Sequence, residues 1–368
     1  MSAGVYRKLQ QHLDKKTIAF PPTKSGIEIR LLKKLFTEEE AEIALGLKFS
    51  WDNLEPLEEI FSRLKYKGKS FEELEESLDK MAKKGVIMAL KKGEVKTYGL
   101  ANFMIGMWDY QVNKLTVGFL KDSIKYLYDS YLQEIGKIPT PQTRFIPVRQ
   151  DVDFSTKMAP YDDIEKILHS IDGPFMVTNC VCRQGKDLIN QPCRMTERRE
   201  VCVSFGYAAE RYIQHGWGRE IDKKEALEIL KKNAENGLIH QINNAQKPDF
   251  ICSCCVCCCE AIKILNSLPM PAKFIKSNYY VRINSDLCDG CGVCLDRCQM
   301  DAITPKNEIF TISKRRCIGC GNCIDYCPND AIQLKAKRSL YVPPETGGEL
   351  YEEIINIKNK AQNDDYGE

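Results

Sequence analysis

Apolar residues in the first hundred positions recur first at helical spacing and then in short continuous runs. Phe71, Leu74, Leu78 and Met81 lie three or four apart, which predicts a helix with one apolar face. Ser70 and Glu73 supply a capping box at its start, and Gly85 sits where a helix closes. Thr37 and Glu40 make a second capping box ahead of EEEAEIAL. Two apolar runs follow, 86–90 and 95–100, joined across Lys91, Lys92, Gly93 and Glu94, and this reads as a hairpin. Residues 108–135 predict another amphipathic helix. Its aromatic residues, Trp108, Tyr110, Phe119, Tyr126, Tyr128 and Tyr131, read as packing residues. Pro139, Pro141 and Pro147 mark a linker over 138–158. Beyond it the pattern predicts a helix over 162–170, a strand over 175–178 and a helix over 205–214. A further helix opens with Asp222 and Glu225 and ends at Gly237. The tail after Arg338 carries one helix, over 349–360.

Helices followed by a small hairpin over residues 28–100 resemble a winged helix-turn-helix. The candidate recognition helix argues against DNA as its partner. Residues 70–84 carry Glu72, Glu73, Glu75, Glu76 and Asp79 against Lys80, Lys83 and Lys84, whereas phosphate contact needs net positive charge. A docking or structural module is the better reading.

Composition changes this picture at one point only. The 368 residues carry 53 basic and 51 acidic side chains, so global charge calls for neither nucleic acid nor an anionic membrane. The eighteen cysteines, however, all fall between Cys180 and Cys327, and the first 179 residues hold none. The N-terminus is polar, with no apolar leader, and no run reaches the ~18 residues of a membrane span. The expected location is therefore cytoplasmic. Thiols are kept reduced there, which points to metal ligation rather than disulfides.

The strongest chemical signal is a repeat. Cys288, Cys291, Cys294 and Cys298 follow C-x2-C-x2-C-x3-C, and Cys317, Cys320, Cys323 and Cys327 repeat it 29 residues on. Each copy continues as Asp-Ala-Ile, at 301–303 and 330–332. Three cysteines on a tight loop can grip three corners of one cubane. Gly290, Gly292, Gly319 and Gly321 let the backbone wrap closely. This segment resembles the bacterial-type two-[4Fe-4S] ferredoxins over about 60 residues. The resemblance implies crossed ligation: Cys288, Cys291, Cys294 and Cys327 for one cluster, and Cys317, Cys320, Cys323 and Cys298 for the other. One departure stands out: the first run has Gln299 where the second has Pro328 after its last cysteine.

Ten cysteines remain. Cys180, Cys182, Cys193 and Cys202 form one group; Cys252, Cys254, Cys255, Cys257, Cys258 and Cys259 form another. Six cysteines in eight residues exceed what a core of small hydrophobes would use. Ten soft ligands suit one or two further iron–sulfur clusters. The natural split follows the two groups, with mixed ligation open. Arg183, Arg194, Arg198 and Arg199 can offset thiolate charge or sit on a solvated face. His215 and His240 read as structural, and Trp217 as a shield for a cluster. No P-loop, G-x-G-x-x-G or G-x-S-x-G occurs where it would count.

As a whole the chain resembles multi-cluster 4Fe-4S proteins of anaerobes, with a C-x-C-R region and a Cys-rich segment ahead of a ferredoxin module. That implies an α+β chain in four parts. These are a winged-helix-like module over 1–137, a Cys-rich domain over 138–278, a ferredoxin domain over 279–337 and a tail over 338–368. The leading function is electron transfer to or from a redox enzyme or carrier protein, as a possible subunit of a larger complex. An oxidoreductase built on an atypical middle cluster, and a redox-sensing regulator with winged-helix output, are the alternatives.

Overall fold

The computed structural model describes residues 3–64, 68–148 and 158–364, which leaves most of the sequence-predicted linker outside the described residues. None of the described helices is long and apolar enough to cross a membrane. The chain divides into two compact units. One comprises residues 1–140, 210–219 and 348–368; the other comprises 141–209 and 220–347. All eighteen cysteines fall in the second, and all are free.

In the first unit the local signals act as the sequence suggests. Thr37 accepts from the Glu40 N–H at 3.2 Å while Glu40 accepts from the Thr37 N–H at 2.8 Å. Ser70 and Glu73 form the same reciprocal cap on the helix Phe71–Lys84. Gly85 closes that helix at φ 74°, where a side chain would meet Tyr110. Strands Ile87–Lys92 and Val95–Leu100 pair as a hairpin turning at Gly93, and the short strand Glu55–Pro56 adds to its second strand. On the helix Phe71–Lys84 the acidic side chains recruit lysine: Lys96 reaches Glu75 at 2.8 Å and Asp79 at 2.6 Å.

The helix expected over 108–135 is shorter. Asn113 takes a left-handed φ of 64°, which breaks helical continuation. Thr116 then caps a new helix, Val117–Tyr126, by accepting from the Phe119 N–H. Two helical elements, Leu127–Tyr131 and Leu132–Ile135, continue it. Five of the six aromatic residues pack and Tyr128 is exposed: Tyr126 meets Phe20 at 5.1 Å and Phe103 at 5.3 Å between ring centres, and its hydroxyl donates to the Pro21 carbonyl. Trp217, expected beside a cluster, packs among aromatic rings. It lies in the cysteine-free unit, stacked on Tyr110 and His215 at 4.7 Å each. Late in the chain, the helix Gly347–Asp364 brings Lys358, which donates to the Asp14 and Thr17 carbonyls.

The second unit centres on a six-stranded sheet. Its spatial order is Thr143–Ile146, Ile239–Asn243, Phe250–Cys254, Glu200–Phe205, Phe175–Asn179 and Arg219–Ile221. Pairing among the first five is antiparallel. Phe175, Val177, Val203, Phe205, Ile242 and Ile251 fill one core with Ile229 and Leu230 of the helix Lys223–Glu235. The buried pair Arg144 and Asp162 is completed by Asn278, which donates to Asp162 at 2.8 Å. Two small antiparallel ribbons follow, Tyr279–Ile283 with Ile332–Ala336, and Ile303–Lys306 with Ile309–Ile312.

Candidate metal centres

Both C-x2-C-x2-C-x3-C runs wind on left-handed glycines: Gly290 at φ 73° and Gly292 at 83°, Gly319 at 68° and Gly321 at 79°. A Cβ on Gly290 would collide with the Glu308 carbonyl, and one on Gly319 with the Tyr279 carbonyl. These turns therefore need glycine for space as well as for φ. The Asp-Ala-Ile repeat has an equally local cause. Asp301 and Asp330 both take φ 48°, and each turns the next alanine N–H back onto the last cysteine of its run. Ala302 donates to Cys298 Sγ at 3.4 Å and Ala331 to Cys327 Sγ at 3.3 Å. Val281 donates to Cys317 Sγ at 3.4 Å.

The fourth cysteine of each run lies near enough to the other run for its charge to act there, Cys327 on Cys294 and Cys298 on Cys317, Cys320 and Cys323. Burial, then the charges of Cys288 and Cys291 and also Cys327, pushes Cys294 up to about 11. Burial, with the charges of Cys298 and Cys317, pushes Cys320 up to about 12. Crowded buried thiols of this kind ionise only against a bound cation. The all-sulfur donor sets, the N–H groups aimed at sulfur and the glycine-only loops together fit iron–sulfur clusters.

Three side chains of the ferredoxin segment gather on the stretch 234–237 and the Cys-rich turn. Gln299 accepts from the Val256 N–H at 2.8 Å and donates to the Gly237 carbonyl. Val256 lies between Cys255 and Cys257 of the Cys-rich segment. Asn322 donates to the same Gly237 carbonyl at 2.9 Å. Arg297 caps the carbonyls of Ala234 and Glu235 and covers the Tyr326 ring at 3.8 Å. Sequence reading noted Gln299 as a departure but missed this role, because its partners lie 43 and 62 residues away. Cys298, Cys317 and Cys320 share one apolar core patch with Cys252, Cys254 and Cys259.

The other ten cysteines are grouped differently from the split expected from their spacing. Six form a closed ring in which each thiol interacts with two neighbours. Cys180 neighbours Cys182 and Cys202; Cys182 neighbours Cys259; Cys259 neighbours Cys254; Cys254 neighbours Cys252; and Cys252 neighbours Cys202. Local structure explains the convergence. Cys252 and Cys254 lie two apart on the strand Phe250–Cys254 and so share a face. Cys202 is on the neighbouring strand, Glu200–Phe205. Cys180 and Cys259 are the N-cap residues of the helices Val181–Leu188 and Glu260–Ser267, whose unpaired N–H groups favour thiolate. Both are held well below the usual thiol range, first by neighbouring cysteines (Cys182 and Cys202 for Cys180; Cys182 and Cys254 for Cys259) and also by backbone N–H donors.

The remaining four, Cys193, Cys255, Cys257 and Cys258, converge more tightly, with all sulfurs within 4.8 Å of one another. Cys193 crosses from its own loop to join the turn after the strand, because position in the fold outweighs position in sequence. Arg183, 0% exposed, donates to Cys255 Sγ at 3.3 Å and to the Ser253 carbonyl at 2.9 Å. Burial opposes its charge, but Cys180, Cys255 and Cys193 outweigh that and hold it protonated. The other arginines are placed elsewhere: Arg199 pairs with Asp187, Arg198 donates to Asn233, and Arg194 is exposed. His240 is buried in the strand Ile239–Asn243, and burial lowers it to about 4.

Residues 280–335 match the family described as the 4Fe-4S dicluster domain. No curated protein and no solved structure matches the chain. The match and the geometry agree that this segment is a ferredoxin-type iron–sulfur module, and the Cys-rich region beside it is a second metal-binding field.

Proposed function

We propose that this chain relays single electrons through several iron–sulfur clusters, to or from a partner redox enzyme or electron carrier. Cys288, Cys291, Cys294 and Cys327 hold one [4Fe-4S] cluster; Cys317, Cys320, Cys323 and Cys298 hold the second. The ring of Cys180, Cys182, Cys202, Cys252, Cys254 and Cys259 takes a further iron–sulfur centre. One observation carries the reading: Cys298, Cys317 and Cys320 pack in the same apolar patch as Cys252, Cys254 and Cys259. An iron–sulfur cluster supplies a one-electron couple whose potential follows burial, charge and hydrogen bonding.

The residues of this chain set those conditions. Val281, Ala302 and Ala331 aim N–H groups at ligand sulfurs, which favours the more negative state. Met300, Ala302 and Ile318 exclude water between the second cluster site and the ring. Gln299 fixes their spacing through Val256. At the far end Cys291 is exposed, and Leu287, Val293 and Leu295 are 47%, 37% and 40% exposed. That apolar surface is the docking end for the partner, where electrons enter or leave.

The test is Cys298→Ala in protein purified without oxygen. The variant is expected to lose the paramagnetic signal of the cluster beside the ring and to keep that of the Cys288 loop. Reduction of the ring centre by an external one-electron donor should slow by at least tenfold. Loss of the Cys288-loop cluster alone would break the crossed assignment. An unchanged rate of ring reduction would break the relay.

A further inference from the structure

The four sulfurs of Cys193, Cys255, Cys257 and Cys258 form a complete tetrahedron of contacts. Cys193 lies 3.7 Å from Cys255 and 3.9 Å from Cys257; Cys257 lies 3.4 Å from Cys255 and 3.7 Å from Cys258. The Cys258 sulfur lies within 4.8 Å of those of Cys193 and Cys255. Among the described residues, no other cysteines gather in threes or fours this closely.

Those distances discriminate between occupants. Four thiolates around one tetrahedral ion, at a metal–sulfur distance of about 2.3 Å, stand about 3.8 Å apart. Four thiolates on the corners of a cubane must stand roughly 6 Å apart, because each sulfur projects outward from its own iron. Among the described residues, no three sulfurs of the ferredoxin runs or of the six-cysteine ring lie mutually within 4.8 Å. The Cys193 quartet has the edge length of a single-ion shell. Consecutive Cys257 and Cys258 can both face inward because residues 256–258 form a turn directly after the strand Phe250–Cys254.

We infer that Cys193, Cys255, Cys257 and Cys258 bind one tetrahedral metal ion, zinc or a single iron, and not an iron–sulfur cluster. Four thiolates on a divalent ion leave a net charge of −2, and the Arg183 guanidinium against Cys255 offsets half of it. The shell is closed, with four protein ligands and no open position, which is the pattern of structural rather than catalytic sites. The ion would pin the loop carrying Cys193 to the turn that also carries Val256, the partner of Gln299. In this way it would stabilise the ring and the ferredoxin contact without itself holding inorganic sulfide.

Sulfide is what makes the inference testable apart from the relay. Cubane iron and acid-labile sulfide are equal in number, and a single ion brings no sulfide. The full chain, purified without oxygen, is expected to contain either about one zinc per chain or about one iron in excess of sulfide. Zinc below half an equivalent together with equal iron and sulfide would overturn the inference. Cys193→Ala is expected to lose that one ion and leave sulfide unchanged; loss of about four irons with four sulfides would show a cubane instead. Should this variant fail to fold, X-ray absorption on the wild-type protein still decides. At the zinc edge, four sulfurs at about 2.3 Å without a metal neighbour support the single ion, and a metal neighbour overturns it. If the ion is iron, its rubredoxin-like Mössbauer doublet must account for the excess, and absence of that doublet overturns it.

Discussion

A few residues owe their identity to backbone geometry around sulfur. Gly319 combines φ 68° with a carbonyl in the space a Cβ would take. Gly319→Ala should therefore cost upward of ~2 kcal/mol, combining left-handed strain with displacement of Tyr279. The expected result is loss of about half the ferredoxin-module iron, read as iron per chain and as a lower melting temperature. Gln299 illustrates a different residue-scale cause. It stands where the second run has Pro328, and its side chain satisfies the Val256 N–H and the Gly237 carbonyl. Gln299→Ala should destabilise the chain by about 1–3 kcal/mol, the cost of taking the acceptor from the Val256 N–H, since Asn322 still serves the Gly237 carbonyl. Gln299→Pro, which restores the repeat pattern, should be no better, since proline cannot make either bond. Denaturant midpoints of the two variants check this. A wild-type midpoint for either would show that the tie carries no energy.

Elements act by aiming side chains that sequence spacing leaves undirected. Period-two geometry puts Cys252 and Cys254 on one face, and helix starts put Cys180 and Cys259 at N-caps, so local structure aims four ring side chains that tertiary structure then brings together. The helices Val181–Leu188 and Glu260–Ser267 are also joined by a pair with little exposure, Lys186 to Glu260 at 2.6 Å. Lys186→Met would remove the close partner of Glu260, leaving Lys263 at 4.0 Å, and should cost about 1–3 kcal/mol, with the ring cysteines on both helices losing register. Lower iron and sulfide per chain would report that, while retention of both would show the pair to be dispensable. The strand Ile239–Asn243 carries a pH dependence. His240 is lowered by burial from 6.5 to about 4, so the folded state disfavours its proton. Its stabilising contribution is complete above pH 6.5 and declines as pH falls toward 4. By pH 5 the loss should reach about 2 kcal/mol. His240→Gln should flatten the melting-temperature profile between pH 7 and 5 relative to wild type. An identical slope would exclude His240 as the cause.

At the scale of the molecule, the chain divides its labour between a cysteine-free unit and a unit holding every thiol. Within the latter, core patches run from the ring through Cys298, Cys317 and Cys320 toward the surface at Cys291. Direction of electron flow would then be set by which partner meets the exposed apolar surface there. Val293→Asp or Leu295→Asp should slow electron exchange with a protein partner several-fold while leaving iron, sulfide and reduction by a small chemical donor unchanged. Equal slowing with the small donor would point to damage at the cluster instead.

Much of this was legible in the chain as written. The capping boxes at Thr37 and Ser70 formed because each is complete within four residues, and the hairpin formed at the glycine that permits its turn. The ferredoxin repeat was legible for the same reason: loop, glycines and Asp-Ala-Ile are local devices repeated in register. The helix expected from Trp108 failed where a left-handed Asn113 and the Thr116 cap outweighed apolar periodicity. Trp217 belonged to a unit assembled from three separated stretches, which no local pattern announces. The ten middle cysteines mark the limit most clearly. Their number and softness pointed by themselves to metal ligation rather than to disulfides. Their partition into a ring of six and a tetrahedron of four was decided only by the sheet. Strand pairing carries Cys202 to Cys252, and a loop returns Cys193 to Cys255. Such contacts depend on chain closure over some 50 to 60 residues, and sequence spacing does not encode it.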